Sequence, residues 1–232
     1  YDKVFFADSG SDTVEVAMKM SLQYHGQTGS PEKVKFLALE NGYHGETILT
    51  LATGDCGLYG EPYKTLMPDI PKITDLPYIM DQSEWQSDTL VEKSWQLIEP
   101  QLEKYKDILA GIVIEPVVQG AGGMLFYHPG IIKKIFDWCE QNGSHLIADE
   151  ILSGMGRVGH ARACDLAEVV PHFSIFSKSL TGGFSPLACV LTTNKIYEAF
   201  YDDYESGKAF LHSNTYCGSA IGVAAALATL KV

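Results

Sequence analysis

Basic residues are scarce in this sequence. Against 29 Asp and Glu stand only 17 Lys and Arg, a formal net charge of −12 over 232 residues. So acidic a balance argues against a nucleic-acid or anionic-membrane partner, either of which needs a basic patch. Long apolar runs are missing as well; none approaches the roughly 20 residues of a membrane span. The five cysteines (Cys56, Cys139, Cys164, Cys189 and Cys217) form no C-x-x-C pair. Their odd number and wide spacing predict free thiols in a reducing compartment, which points to the cytoplasm. Seven histidines make no H-x-x-x-H pair and no His/Cys cluster, so no metal site is expected. There is no internal repeat and no low-complexity tract.

What is present is an apolar fraction of 46%, enough to fill the core of one large domain or two small ones. Short apolar runs, often β-branched, alternate with helical patterns. Strands are expected at 4–7, 34–39, 112–115, 145–148, 173–176 and 187–192. Val14, Ala17, Met18, Ser21 and Leu22 follow the i, i+3, i+4 stripe of a helix. Residues 131–139 and 220–230 read as helix too, as does the set Trp95, Ile98 and Leu102. Alternating β and α predicts a three-layer α/β/α fold with a mostly parallel sheet. The Gly-, Pro- and Asp-rich stretch 53–84 reads as a long surface excursion. The chain opens on Tyr1 and almost at once on a strand, and it closes on Leu230-Lys231-Val232 within a helical pattern. The expectation is a fragment of a longer protein.

Parallel sheets place ligands at the carboxyl ends of their strands. After the first strand comes Asp8-Ser9-Gly10-Ser11-Asp12, then a helix. Free amides at a helix N-terminus and serine hydroxyls suit a phosphate; the plainer reading is a Ser/Asp N-cap. The strand 145–148 ends in Asp149-Glu150. Asp149 there can bind a ribose hydroxyl, a metal or a heterocyclic nitrogen, or simply cap the next turn. The glycines of Gly154-Met155-Gly156-Arg157-Val158-Gly159 follow the acidic residue instead of preceding it, which is the wrong order for a dinucleotide fingerprint. The strand 173–176 ends in Ser177-Lys178-Ser179-Leu180-Thr181-Gly182-Gly183. Lys178 is either a Schiff-base lysine or an exposed loop residue. Asp149 and Lys178 at two strand ends, with a phosphate cup at a third, are together the elements of pyridoxal phosphate (PLP) binding.

These segments resemble the class III, fold-type-I aminotransferases. The resemblance rests on Leu146 through Gly159, on Ser177 through Gly183, and on Gly42-Tyr43-His44-Gly45, similar to that family's Y-H-G motif. It implies that 1–232 is the large PLP-binding domain and that Lys178 carries the cofactor. It implies that Asp149 partners the ring nitrogen and that Gly10 and Ser11 bind phosphate. Tyr43 is expected to stack on one ring face and Ile151 to pack the other. Thr215 and Asn214 are expected to reach the phosphate of a neighbouring subunit in a homodimer with shared sites. Tyr43 and Ser213 fall where the family contacts substrate.

Within the class, the segments Ala7–Ser11, Val14–Met20 and Glu115–Met124 with Tyr127-His128-Pro129 resemble the biotin-pathway branch. Apolar Leu152 stands where many relatives carry Gln. That likeness implies amino transfer from S-adenosylmethionine to 7-keto-8-aminopelargonate. The alternatives are another class III omega-aminotransferase with an ornithine, aminobutyrate or lysine donor, or a non-catalytic PLP-binding sensor domain. Departures from the family pattern are Ser213 in place of Gly, Leu125 in place of Arg, and Phe184-Ser185-Pro186 after the lysine loop.

Overall fold

A computed structural model describes residues 1–55 and 57–232. The elements run β1 (Lys3–Ala7), α1 (Gly10–Gln27), β2 (Lys35–Leu39), α2 (Ile48–Thr53), β3 (Lys72–Ile73), α3 (Asp88–Glu103), β4 (Leu109–Ile114), β5 (Val118–Gln119), β6 (Leu125–Phe126), α4 (Pro129–Asn142), β7 (His145–Asp149), β8 (Phe173–Phe176), β9 (Ala188–Thr192), α5 (Asn194–Glu198) and α6 (Ala220–Thr229), with short 3-10 turns between several of them. Seven strands form one sheet in the order β1-β9-β8-β7-β4-β2-β3, and β5 pairs with β6 apart from it. All pairings from β8 to β3 are parallel. Only β9 runs against both its neighbours, β1 and β8. Six of the seven strands therefore share one direction, and their carboxyl ends share one edge.

The strands read as continuous apolar runs because both faces are covered. Leu37, Leu39, Ile112, Ile114 and Leu146 pack against Ile98 and Leu102 of α3 and against Ile131, Ile135 and Trp138 of α4. Phe36, Ala38, Val113, Ile147 and Ile175 face the other way, onto Val14, Ala17 and Met18 of α1. Successive residues thus alternate between the two cores, the period of two that a pleated strand imposes. The three-layer, mostly parallel architecture expected from the sequence is what forms.

Helix ends follow local chemistry. Ser9 caps α1 by accepting from the Asp12 amide. Pro129 starts α4 behind His128, whose Nδ1 accepts from the Gly130 amide at 3.0 Å, and Gly143 ends it at φ 61°. The stretch 53–84 is not wholly a surface excursion. Lys72–Ile73 joins the sheet beside β2, and Ile73 and Leu76 are buried. A two-residue strand is too short to show a period. The last helix starts at Ala220 with Ser219 before it. Cys139, Cys164, Cys189 and Cys217 are free thiols; Cys56 lies outside the described residues. No helix among the described residues is long and apolar enough to cross a membrane.

The amino edge of the sheet is closed by three histidine rings. His25 of α1 stacks on His145 of β7 at 4.5 Å between centroids, and His145 lies 4.8 Å from His172. His25 Nε2 lies 2.9 Å from the Ala110 carbonyl, and His172 Nδ1 accepts from the Leu146 amide at 3.0 Å while its Nε2 faces Glu140 at 2.7 Å. Burial holds His145 well below its ordinary value and pushes His172 down from 6.5 to about 4, with Glu140 acting the other way. Lys33 and Lys195 add to the depression of His145. The unfolded chain binds these protons near pH 6.5 and the folded chain does not, so their contribution is whole above that pH and falls away as pH drops towards 4. Urea midpoints measured between pH 7 and pH 4 should fall steadily through that window, and His172→Gln should flatten the profile. An unchanged slope in that variant would contradict the assignment.

Candidate active site

Five loops at the carboxyl edge enclose a cavity of about 340 Å³. The start of α1, just after β1, contributes Gly10 and Ser11, and the loop after β2 contributes Tyr43, His44 and Gly45. After β4 come Glu115, Gly120 and Met124. Asp149 ends β7 and Ile151 and Leu152 follow it, and Ser177 and Lys178 follow β8. The sequence-predicted residues Gly10, Ser11, Tyr43, Asp149, Ile151 and Lys178 thus meet in one place, although residues 10 and 178 are far apart in the chain.

Asp149 is the most constrained of them. It is buried, with its Oδ2 accepting from His44 Nδ1 at 2.8 Å and its Oδ1 from the Ile151 amide at 3.1 Å. An ionised carboxylate can only accept, so the His44 proton sits on Nδ1. The strand-end Asp does turn the chain, as the plainer reading held, but one of its oxygens goes to a side chain from another loop. Glu115, just past β4, is also buried. Its Oε1 accepts from the Tyr43 amide at 2.8 Å and its Oε2 from the Gly120 amide at 3.0 Å. Burial raises the Glu115 pKa above the usual carboxylate range; His44 pulls it down and Asp149 pushes it up.

At the other end of the cavity is the N-terminus of α1. Helix geometry leaves the amides of Gly10 and Ser11 without an intrahelical acceptor, and the helix dipole favours an anion there. A Cβ on Gly10 would come within 2.7 Å of Ile151 Cδ1, so Ile151 packs directly on the start of the helix. Gly45, at φ 119°, brings its backbone onto Ser11; a Cβ there would lie 2.0 Å from Ser11 Oγ. Lys178 has φ 42°. A non-glycine residue in that region costs about 1–3 kcal/mol and is concentrated at functional sites. The Lys178 ammonium makes no ion pair or hydrogen bond among the described residues, and its side chain is free to reach into the cavity it lines.

The remaining candidates lie elsewhere. Ser213 and Thr215 are exposed, Asn214 donates to Asp12 of α1, and none of the three lines the cavity of its own chain. His44 and Glu115 were not assigned roles from the sequence. The signals were there: His44 sits inside the Y-H-G motif, and Glu115 ends a predicted strand.

The donor set fits PLP: an amine, a buried carboxylate, and a helix N-terminus with a serine hydroxyl. Comparison with known proteins agrees. The model of the family "Aminotransferase class-III" matches residues 1–232. Adenosylmethionine-8-amino-7-oxononanoate aminotransferase of Helicobacter pylori is 38% identical over 100% of this chain and 51% of its own length. The enzyme of the same name from Anoxybacillus flavithermus is 34% identical over 99% of this chain and 50% of its own. Among solved structures, that aminotransferase from Methanocaldococcus jannaschii superposes with a TM-score of 0.86 at 31% identity, covering 99% of this chain and 50% of that one. An amine transaminase from an uncultivated Pseudomonas species, in its PLP-bound form, gives 0.88 at 31% identity, covering 99% and 52%. The chain spans about half the length of the curated relatives it matches.

The contact of Gly45 with Ser11 gives a direct test of the site's packing. Gly45→Ala should lower unfolding free energy by about 2–4 kcal/mol, from overpacking and a disfavoured backbone angle together. Gly26→Ala, in α1 with nothing within 4 Å of the new methyl group, should raise it by about 0.5–1 kcal/mol. Denaturant titration of both variants checks this, and equal effects would mean that the Gly45–Ser11 approach is not a constraint.

Proposed function

Because the chain belongs to the class III aminotransferases, a family dependent on PLP, we propose that it is the large cofactor-binding domain of an enzyme that moves an amino group from an amine donor to a carbonyl acceptor. The carrying observation is that Asp149, Lys178 and the Gly10–Ser11 helix start line a single cavity. PLP, when bound, supplies a carbonyl that an amine can attack and a ring that takes up the electrons left when a carbon-bound proton departs.

Each residue then has a definite task. Lys178 Nζ would hold the cofactor, and its free amine would carry the proton as base and then as acid. Asp149 keeps a proton on the ring nitrogen, because an opposite charge nearby favours the charged form. His44 orients Asp149 by donating to Oδ2. The amides of Gly10 and Ser11 and the Ser11 hydroxyl bind the phosphate. Tyr43 and Ile151 would flank the ring, while Glu115 fixes the Tyr43 backbone by accepting from its amide. Thr215, with Asn214, completes the phosphate site of a neighbouring subunit in a homodimer; the exposure of Thr215 and the position of both outside their own cavity support this.

For the reaction, the names of the relatives and the apolar Leu152 in the cavity wall support transfer from S-adenosylmethionine to 7-keto-8-aminopelargonate, a step of biotin biosynthesis. Ser213 is the candidate for adjusting donor choice across the subunit boundary. Free, buried thiols at Cys139, Cys164 and Cys189 fit the cytoplasm.

The test is a panel of half-reactions on full-length holoprotein. S-adenosylmethionine should bleach the bound chromophore quickly, while lysine, ornithine and 4-aminobutyrate should not. Adding 7-keto-8-aminopelargonate should restore it, and Lys178→Ala should respond to neither. Fast bleaching by ornithine or 4-aminobutyrate without a response to the keto acid would place the protein in another branch. A spectral change without release of a keto product would make it a sensor.

A further inference from the structure

The outer face of α1 carries four polar residues, Asp12, Lys19, Gln23 and Gln27. At 100° per residue they fall on one stripe. All four bind the irregular segment 208–214. Gln27 Nε2 donates to the Lys208 carbonyl at 2.8 Å, and Gln23 Nε2 donates to the carbonyls of Lys208 and Ala209 at 3.0 and 3.3 Å. Lys19 Nζ lies 2.9 Å from His212 Nδ1. Lysine has donors only, so Nδ1 accepts and the ring proton sits on Nε2, which lies 3.4 Å from Asp12 Oδ1 without forming a hydrogen bond. Asn214 donates to Asp12 Oδ2. The segment therefore runs antiparallel to the helix, pinned at each step. Phe210 packs beneath it on Phe5 of β1, at 5.6 Å between ring centroids.

We propose that Asp12, Lys19, Gln23 and Gln27 are positioning residues, forming a polar seam that fixes where Asn214 and Thr215 are presented. The inference rests on the reading that Thr215 reaches a neighbouring subunit's phosphate. One helix then serves two sites: its N-terminus holds this subunit's phosphate, and its outer face aims the segment that completes the partner's. Asp12 joins the two functions. It sits one residue past the phosphate cup, and its Oδ2 accepts from Asn214 of the segment.

Gln23 and Gln27 are the residues to change. They lie 13 and 17 residues beyond Gly10, about 20 and 26 Å along the helix, too far to touch a phosphate bound there. In the full-length protein, Gln23→Glu with Gln27→Glu turns the donors into acceptors facing carbonyl oxygens. Three measurements are needed: hydrogen exchange over residues 208–214, the dissociation constant for PLP, and the same constant with Thr215→Ala alone and combined. The seam predicts faster exchange in 208–214 and PLP binding weakened roughly tenfold, the scale of one lost hydrogen bond to a charged group. Thr215→Ala should weaken binding by a similar factor, and the combination should weaken it no further. Gln23→Lys with Gln27→Lys, which keeps the donors, should restore tight binding. If Thr215→Ala weakens PLP binding and the Glu pair does not, the seam has no positioning role. If the two effects add in full, the Glu pair acts by another route and the inference is wrong. If Thr215→Ala has no effect, the shared-phosphate reading itself fails and the seam's role with it.

Discussion

The site depends on a buried carboxylate held in place by a histidine. Taking Asp149 out of water costs several kcal/mol unless its lone pairs are satisfied. His44 and the Ile151 amide satisfy two of them. Glu115 is buried nearby and adds a second acidic group; burial raises its pKa, and Asp149 adds to that rise while His44 opposes it. Two carboxyl groups and one imidazole thus share the floor of the cavity. The negative charge of Asp149 favours a cation beside it.

Sheet topology puts that floor where it is needed. Because β9 alone runs backwards between β8 and β1, β1 keeps the direction of the central strands. Its carboxyl end, and with it the helix start at Gly10, therefore opens on the same edge as Asp149 and Lys178. A parallel strand in the place of β9 would leave the sheet order intact but need a long crossover before it. The antiparallel return needs only the turn of residues 177–187, and that turn carries Lys178 itself.

The elements legible in the sequence were those with a period or a punctuating residue. The apolar run Phe36-Leu37-Ala38-Leu39 announced a strand, and the small residues and two glycines after Lys178 set it apart from a solvated surface lysine. Asp149 and Lys178 were legible because a charged residue that ends an apolar strand has few ordinary uses. Three things were not. The strand Lys72–Ile73 is too short for any pattern. The partnership of His44 with Asp149 spans 105 residues and depends on where two loops meet. The segment 208–214 has no period of its own; its course is set by side chains on α1 whose spacing reads, in sequence, as an ordinary solvated stripe. Of the candidates named from the family pattern, those on regular strand ends meet in the cavity, and those on that segment do not reach it from their own chain.

On the proposed reading, Asp149, oriented by His44, keeps the ring nitrogen of the cofactor protonated. Nitrogen-15 NMR of the full-length protein loaded with PLP labelled at that nitrogen measures this without reference to turnover. The expected result is the chemical shift of a protonated pyridine in the native protein and a move to the unprotonated range in Asp149→Asn, with phosphate binding retained. A native-like shift in that variant would contradict it.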